Sequence, residues 1–261
     1  AELQNVCSKL FKISPDETLS IVQDLYEKKL VTYPRTDARV LSTAVAKEIY
    51  KNISGLRNYP QAGDAAQGAL ELGAYKNIAK TRYTNDKQIT DHYAIIPTGQ
   101  GLGALKGLSL TAQRVYETIV RRFLSIFYPP TVYQKVSLVT KMENESFFSS
   151  FKVLLSEGYL KIAANSFAKK SMAEASGKAS ESEGEGEVSC DEALLAALQK
   201  LKKGDILNIN GLGIKEGETS PPKRYNSGSM ILAMENESFF SSFKVLLSEG
   251  YLKIAANSFA K

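Results

Sequence analysis

The chain has 261 residues, of which 43% are hydrophobic, and a formal net charge of +5. This size suggests one or two domains with a buried core, and the charge permits, without requiring, binding to a phosphate backbone. No apolar run reaches the roughly 18 residues of a membrane-spanning helix, and the first residues lack the order of a secretory signal. Cys7 and Cys190 form no Cys-x-x-Cys pair, so they cannot make a zinc site unaided, and a reducing cytosol fits better than a disulfide scaffold.

A predicted helix ends shortly before Tyr33. Residues 14–17, Ser-Pro-Asp-Glu, are typical of a helix start with Ser14 as its cap. The apolar side chains that follow share one helical face: Leu19, Val22, Leu25 and Tyr26. The helix should stop near residues 28–29, and Pro34 disfavours a helical backbone at Tyr33. Tyr33 is therefore expected on an extended segment, from which its side chain can project into a cleft.

Further helices are predicted up to residue 131, and strands after it. The helices are expected at 43–52 and at 112–127, with Thr111 as a cap and two prolines ending the second one. Alternating β-branched and aromatic residues then predict strands, at 132–142, 146–155, 158–163 and, after a short helix over 191–202, at 204–214. Residues 171–190 are rich in Ser, Gly and Glu and predict an acidic surface loop. The fold class is therefore α+β, with a helical domain over 1–131 followed by a β-rich domain over 132–220.

The end of the sequence repeats an earlier stretch. Residues 234–261 are a letter-for-letter copy of residues 142–169. Structural repeats normally diverge and occur in threes or more. An identical copy is more typical of an artefact, or of a very recent duplication, and we assign it no function.

The residues after the first helix suggest phosphate chemistry. A free phenol has a pKa of about 10 and is a poor nucleophile at neutral pH, so Tyr33 would need a cation beside it. In an extended chain residues i and i+2 share a face, which lets Tyr33 and Arg35 reach one phosphate and lets Asp37 orient Arg35. Taken alone, Tyr-Pro-Arg is more often a buried tyrosine beside a surface arginine.

The sole histidine strengthens the phosphate interpretation. His92 follows an aspartate and precedes an apolar run closed by proline. A single histidine is more often structural, but a protonated one can donate a hydrogen bond to a phosphate oxygen. Asn85 and Lys87, just upstream, add two more residue types that contact phosphate. No Asp-x-Asp cluster is suited to Mg²⁺, because Asp191 and Asp205 stand alone, so no metal site is predicted.

These motifs resemble the type IA DNA topoisomerases, and most closely the bacterial topoisomerase III branch. The two motifs that carry the resemblance are TYPRTD, around Tyr33, and TDHYAIIPTG, around His92. Three longer blocks support it in the family's order: LYEKKLVTYPRTDARVLS, LTAQRVYETIVRRFLSIFYPP and GETSPPKRYNSGSMILAMEN. Together they cover about residues 2–236.

The resemblance implies a reaction and roles for individual residues. In the family, a tyrosine at the position of Tyr33 attacks one DNA strand and becomes joined to its 5′ phosphate, which releases a 3′ hydroxyl. Another strand passes through the gap, and the hydroxyl reseals the break without ATP. Arg35 and His92 match residues near the scissile phosphate, and Arg224 matches a basic position near the DNA groove. Asn226 and Ser227 depart from the family pattern in that block.

The resemblance also implies an organisation and partners. Residues 1–131 match the tyrosine domain, 132–220 the arch that forms the strand gate, and 221–236 the start of the return to the base. The family's metal-binding acidic domain lies upstream of these blocks, so Mg²⁺ is expected in the full-length enzyme but not in this fragment. The expected partner is DNA, preferentially single-stranded, bound by a monomer in the bacterial cytoplasm at the nucleoid and not at a membrane. Asp37, Asn85, Lys87 and Arg224 are the predicted DNA-binding residues.

Two other functions remain open at this stage. A tyrosine recombinase also combines Tyr, Arg and His, but its tyrosine normally follows the other two, whereas Tyr33 precedes His92. A single-stranded DNA-binding scaffold without catalysis is the second alternative. It is supported by interleaved rings and a cation, Tyr33, Tyr83, Tyr93 and Arg82, which could stack bases.

Overall fold

The computed structural model describes most of the chain. The described residues are 1–167, 188–189, 196–198, 200–208, 211, 213, 216–219, 221–222 and 224–239. They divide into two compact units, one drawn from residues 1–21 and 220–261 and the other from residues 22–219. Helices combined with an antiparallel pair of strands confirm the predicted α+β class. Among the described residues, no helix is long and apolar enough to cross a membrane.

The first unit is built on two helices that pack against each other. Helix α1 covers Glu2–Phe11, and its partner covers Ser227–Phe239. Gly228 lies at their contact, where a Cβ atom would stand 2.9 Å from Ser8 Cβ, so only glycine allows this approach. Cys7 is a free, buried thiol, and burial raises its pKa to about 12.

Helix α2 covers Pro15–Glu27 and leads to the segment that carries Tyr33. It begins where predicted, because the backbone N–H of Glu17 donates to Ser14 Oγ at 3.0 Å. Its continuation ends at Lys29, which has a left-handed φ of 61°. Val22 and Leu25 are buried as predicted, but Tyr26 is exposed.

Four more helices form the body of the second unit. Helix α3 covers Thr43–Glu48, α4 Tyr50–Gly55, α5 Gly63–Leu72 and α6 Leu110–Ser125. The predicted helix at 43–52 is therefore two consecutive helices. Helix α6 begins two residues earlier than expected, because Ser109 rather than Thr111 caps it. Short 3-10 turns lie between them, at Leu56–Asn58, Ala74–Lys80, Asp86–Gln88 and Leu102–Gly107.

The core of this unit lies between the helices. Its largest fully buried side chains come from α2, α4 and α6 and from the turns beside them: Leu25, Leu30, Ile49, Ile53, Leu56, Ile78, Val115, Tyr116, Leu124 and Phe127. The rings of Tyr59 and Tyr116 meet edge to face at 5.2 Å. Burial raises the pKa of both phenols, so they remain neutral.

After α6 the chain forms a long hairpin. Strand β1 (Val132–Met142) pairs antiparallel with β2 (Glu145–Ser156), and the short β3 (Val188–Ser189) pairs parallel with β2. The predicted strand at 158–163 is wrong, since Leu160–Ala163 is a helical turn, α7. Gly158 has a φ of 50° there, and Tyr159 N donates to Pro129 O. Together these turn the chain back onto α6.

Three other predictions concern the region after the hairpin. The predicted strand at 204–214 does not form over 204–208, which has no regular structure apart from a turn. Of the predicted loop at 171–190, the structure describes only Val188–Ser189, which form β3. Of the predicted helix at 191–202, it describes residues 196–198 and 200–202, and residues 196–198 and 200 are helical.

A buried ion pair within α6 contacts the segment that follows the hairpin. Arg121 Nε lies 2.6 Å from Glu117 Oε1, and both side chains are almost fully buried. The other Glu117 oxygen accepts from Ser166 Oγ at 2.8 Å, while Arg121 donates to the carbonyl of Gln61 at 2.6 Å and to that of Ile162 at 3.2 Å. These bonds attach the segment that follows β2, at Ile162 and Ser166, to α6.

Candidate active site

The site is assembled by two distant segments of the second unit. Thr32 N donates to Ile96 O and Thr98 N donates to Leu30 O, both at 3.0 Å. The Thr32 hydroxyl completes the contact, accepting from Ile96 N at 2.9 Å and donating to Ala94 O at 3.2 Å. The residues before Tyr33 are therefore paired with the residues that follow His92.

This pairing places the Tyr33 ring against the imidazole of His92. The ring centroids are 4.3 Å apart, with planes tilted by 41°. Tyr33 is half-buried and His92 is exposed. Neither the Tyr33 hydroxyl nor a His92 ring nitrogen hydrogen-bonds to a described residue, so both polar ends are available to a ligand.

Tyr26 and Thr36 complete this arrangement, although neither is among the predicted site residues. Tyr26, near the end of α2, meets the Tyr33 ring edge to face at 5.5 Å. Thr36 Oγ1 donates to His92 O at 2.7 Å and accepts from Ala38 N at 3.0 Å. The helical periodicity assigned Tyr26 to the buried face. Tyr26 lies on the last turn of α2, close in sequence to the segment that carries Tyr33, and no periodicity relates the two rings.

Arg35 and Asp37 lie on the exposed side of the segment after Tyr33. Exposure alternates along it, because Pro34 is buried while Arg35 and Asp37 are exposed. Asp37 does not pair with Arg35 as expected; its Oδ1 lies 3.5 Å from Thr90 Oγ1 instead. Arg35 forms no ion pair or hydrogen bond within the described part of the chain, so its guanidinium can bind an anion.

Asn85 and Lys87 lie on the 3-10 turn that follows Tyr83. Asn85 is half-buried, and its side chain accepts from Lys87 N at 3.1 Å, a capping role. Lys87 is exposed. Arg82 lies over the Tyr83 ring, 5.2 Å from its centroid, so the predicted combination of ring and cation is formed there. Tyr93 is half-buried, and burial raises the pKa of its phenol.

The remaining predictions concern Arg224 and metals. Arg224 is exposed and belongs to the first unit, whereas Tyr33, Arg35 and His92 belong to the second. In the described ranges, no group of three or more His, Cys, Asp and Glu side chains is placed to hold a metal ion.

The proteins to which this chain is similar are DNA topoisomerases. A family model described as DNA topoisomerase matches residues 1–254. The chain is 36% identical to DNA topoisomerase 3 of Bacillus licheniformis over 240 residues, and 35% identical to that of Bacillus subtilis over the same length, covering 92% of this chain and 30% of each relative. A Bacillus cereus DNA topoisomerase 3 is 30% identical over 239 residues, 90% of this chain and 29% of the relative. The chain thus spans about a third of the length of these relatives.

Proposed function

Because this chain belongs to the type IA DNA topoisomerases and is similar to bacterial topoisomerase III, we propose that it carries the nucleophile of an enzyme that cuts and rejoins DNA. Tyr33 is the nucleophile, and Arg35 and His92 act on the phosphate. The product of the first step is a 5′-phosphotyrosyl linkage. The whole enzyme changes DNA topology without ATP and is an isomerase.

The observation that supports this proposal is the Tyr33–His92 contact at 4.3 Å. It joins the only histidine to a half-buried tyrosine whose hydroxyl has no partner among the described residues. Arg35, two residues further along the chain, is exposed and forms no ion pair or hydrogen bond within the described residues, so its guanidinium is available to an anion. Phenol, imidazole and guanidinium together match what displacement at phosphorus requires.

The proposed step exchanges one phosphodiester for another. The Tyr33 oxygen attacks phosphorus and loses its proton as the new O–P bond forms, while the P–O3′ bond breaks and the 3′ oxygen takes up a proton. Arg35 offers paired N–H donors to the non-bridging oxygens. His92 can donate to the same phosphate. Since the bond energy is retained in the linkage, the 3′ hydroxyl can reverse the step.

The proposal extends to the setting of the reaction. The substrate is DNA, preferentially single-stranded, contacted also by Asp37, Asn85, Lys87 and Arg224. In the full-length enzyme Mg²⁺ is bound outside the residues described above. The enzyme works as a monomer in the bacterial cytoplasm at the nucleoid. A domain limit at 131 separates the tyrosine domain from the arch, and a second limit at 220 separates the arch from the return to the base.

The test uses a chimera in which this chain replaces the matching residues of the Bacillus subtilis relative. Single-stranded oligonucleotides labelled at either end are incubated with it and denatured. The 3′-labelled piece should stay attached to protein, and the 5′-labelled piece should be released. Tyr33→Phe should abolish both signals, while Tyr26→Phe, which removes a hydroxyl beside the same ring, should retain them.

Two results would contradict the proposal. Retention of the 5′-labelled piece would indicate a 3′-phosphotyrosyl linkage, as in a tyrosine recombinase. Unchanged activity of the Tyr33→Phe chimera would favour a DNA-binding scaffold. The chain by itself should not relax supercoiled DNA, and robust relaxation would show that it needs no other part of the enzyme.

A further inference from the structure

One face of the β1–β2 hairpin combines cations with exposed rings. Odd-numbered residues of β1 lie on this face, together with their partners on β2. The pairs are Tyr133 with Leu154, Lys135 with Lys152, Ser137 with Ser150, Val139 with Phe148 and Lys141 with Ser146. We call it the lysine–aromatic face. It contains three lysines and no acidic residue.

The lysines of this face carry charge that the described residues do not neutralise. Lys135 and Lys152 are directly opposite each other, where like charges are destabilising. All three lysines are exposed, and none forms an ion pair within the part of the chain that the structure describes. Lys135 and Lys141 are about 20 Å apart along the strand. The face therefore presents a row of unpaired positive charge long enough for several nucleotides.

The rings of this face are presented to solvent. Phe148 is 79% exposed, more than any other described aromatic side chain. Tyr133 is 43% exposed, and Lys152 Nζ lies 4.3 Å from its ring centroid. Rings interleaved with cations are what sequence-independent binding of single strands uses, since bases stack on the rings and phosphates meet the cations.

The opposite face of the same hairpin is different. Val136, Leu138, Phe151 and Val153 are half-buried there, and that face has no lysine. The two faces are thus separated into an apolar one and a cationic one. A protein partner seeking an apolar surface would fit the first, whereas a polyanion with stacking bases fits the second.

We propose that the lysine–aromatic face binds single-stranded DNA, with phosphates on Lys135, Lys141 and Lys152 and a base stacked on Phe148. This inference rests on the proposed function only in taking DNA as the bound polymer. It does not require that Tyr33 cleaves DNA. It assigns to the hairpin a second DNA contact, formed by residues other than those around Tyr33.

The test measures binding of the full chain to fluorescein-labelled oligothymidylate by anisotropy between about 50 and 200 mM salt. All proteins carry Tyr33→Phe, so that failure of the proposed cleavage chemistry cannot affect the result. Lys135→Gln with Lys141→Gln should reduce the slope of log affinity against log salt by about 1.4, since each phosphate contact on a single strand contributes about 0.7. Phe148→Leu should weaken binding at least about fivefold without changing the slope.

Matched controls keep this result specific. Lys47→Gln removes an exposed lysine from α3 and should leave the slope unchanged. Lys135→Gln also relieves the repulsion with Lys152, so its melting temperature should not fall, which separates lost binding from lost folding. If the hairpin variant lowers the slope no more than Lys47→Gln does, or if Phe148→Leu binds normally, the face is not the binding site.

Discussion

The helical region that carries Tyr33 and the hairpin that follows it use the same types of side chain in opposite ways. In the helical region, large apolar side chains such as Leu25, Leu30 and Ile53 are completely buried. In the hairpin, Val139, Phe148 and Leu155 are all more than half exposed. The packed helical region thus holds a site at fixed geometry. The hairpin instead exposes its side chains, and the contacts of α6 with the segment after it attach it to the helical region.

The largest loss of stability is expected when the Arg121–Glu117 ion pair is broken. Arg121→Ala would leave the Glu117 carboxylate buried without its cation, which costs about 3–5 kcal/mol of unfolding free energy. Denaturant unfolding measures it. Lys51→Ala breaks an ion pair of similar length, to Glu48, but an exposed one, so it should change stability by less than about 1 kcal/mol. Equal losses in the two variants would mean that burial does not distinguish the pairs.

A second pair of variants compares the stability lost when an apolar side chain is shortened in each of the two regions. Ile53→Ala removes a fully buried side chain and should cost about 2–5 kcal/mol, because it leaves a cavity. Val139→Ala removes a side chain that is 53% exposed and should cost less than about 1 kcal/mol. Thermal unfolding of both variants tests the difference, and a costly Val139→Ala would show that the hairpin face is packed in solution.

Gly99 sharpens the comparison within the helical region. Its φ is 76°, and an added Cβ would stand 2.6 Å from Asn52 O, so Gly99→Ala should cost about 1–3 kcal/mol. It should also disturb the 94–98 segment and lower cleavage by the chimera. Gly103→Ala is the control, since nothing lies within 4 Å of its Cβ position. A neutral Gly99→Ala would mean that this segment tolerates displacement.

The smallest effect concerns Asp86, beside the predicted DNA-binding turn. Thr43 Oγ1 and N donate to its carboxylate at 2.5 and 2.8 Å, which lowers the pKa of Asp86. A carboxyl with a lowered folded-state pKa stabilises the fold above its unfolded pKa, and this contribution is lost as pH falls through the folded value. Thr43→Val should raise the Asp86 pKa, measured by NMR titration. An unchanged titration would show that the hydroxyl does not bond in solution.

Local sequence predicted the elements that have clear capping residues at their ends. It failed for segments whose structure depends on tertiary contacts. Ser14 with Glu17 fixed the start of α2 correctly, because capping depends on neighbours in sequence. The hexapeptide Met-Glu-Asn-Glu-Ser-Phe shows the limit. At 142–147 it forms the tip of the hairpin, whereas at 234–239 it is helical. The same letters adopt both structures, so tertiary contacts override their propensities.

The candidate site was predictable as a set of residues but not as an arrangement. Motifs identified Tyr33 and His92, yet their contact depends on pairing between residues 30–32 and 94–98, and no local pattern reveals such a non-local pairing. The Thr36 bond to the His92 carbonyl was missed for the same reason. Asp37 was assigned to Arg35 from alternation alone, but it contacts Thr90.

Attack of the Tyr33 oxygen on DNA is tested by identifying the residue to which the DNA becomes covalently attached. The chimera is trapped on an oligonucleotide, digested with protease and nuclease, and sequenced by mass spectrometry. We expect a nucleotide 5′ phosphate on the peptide that contains Tyr33. A phosphate on any other residue, Tyr26 included, would contradict it.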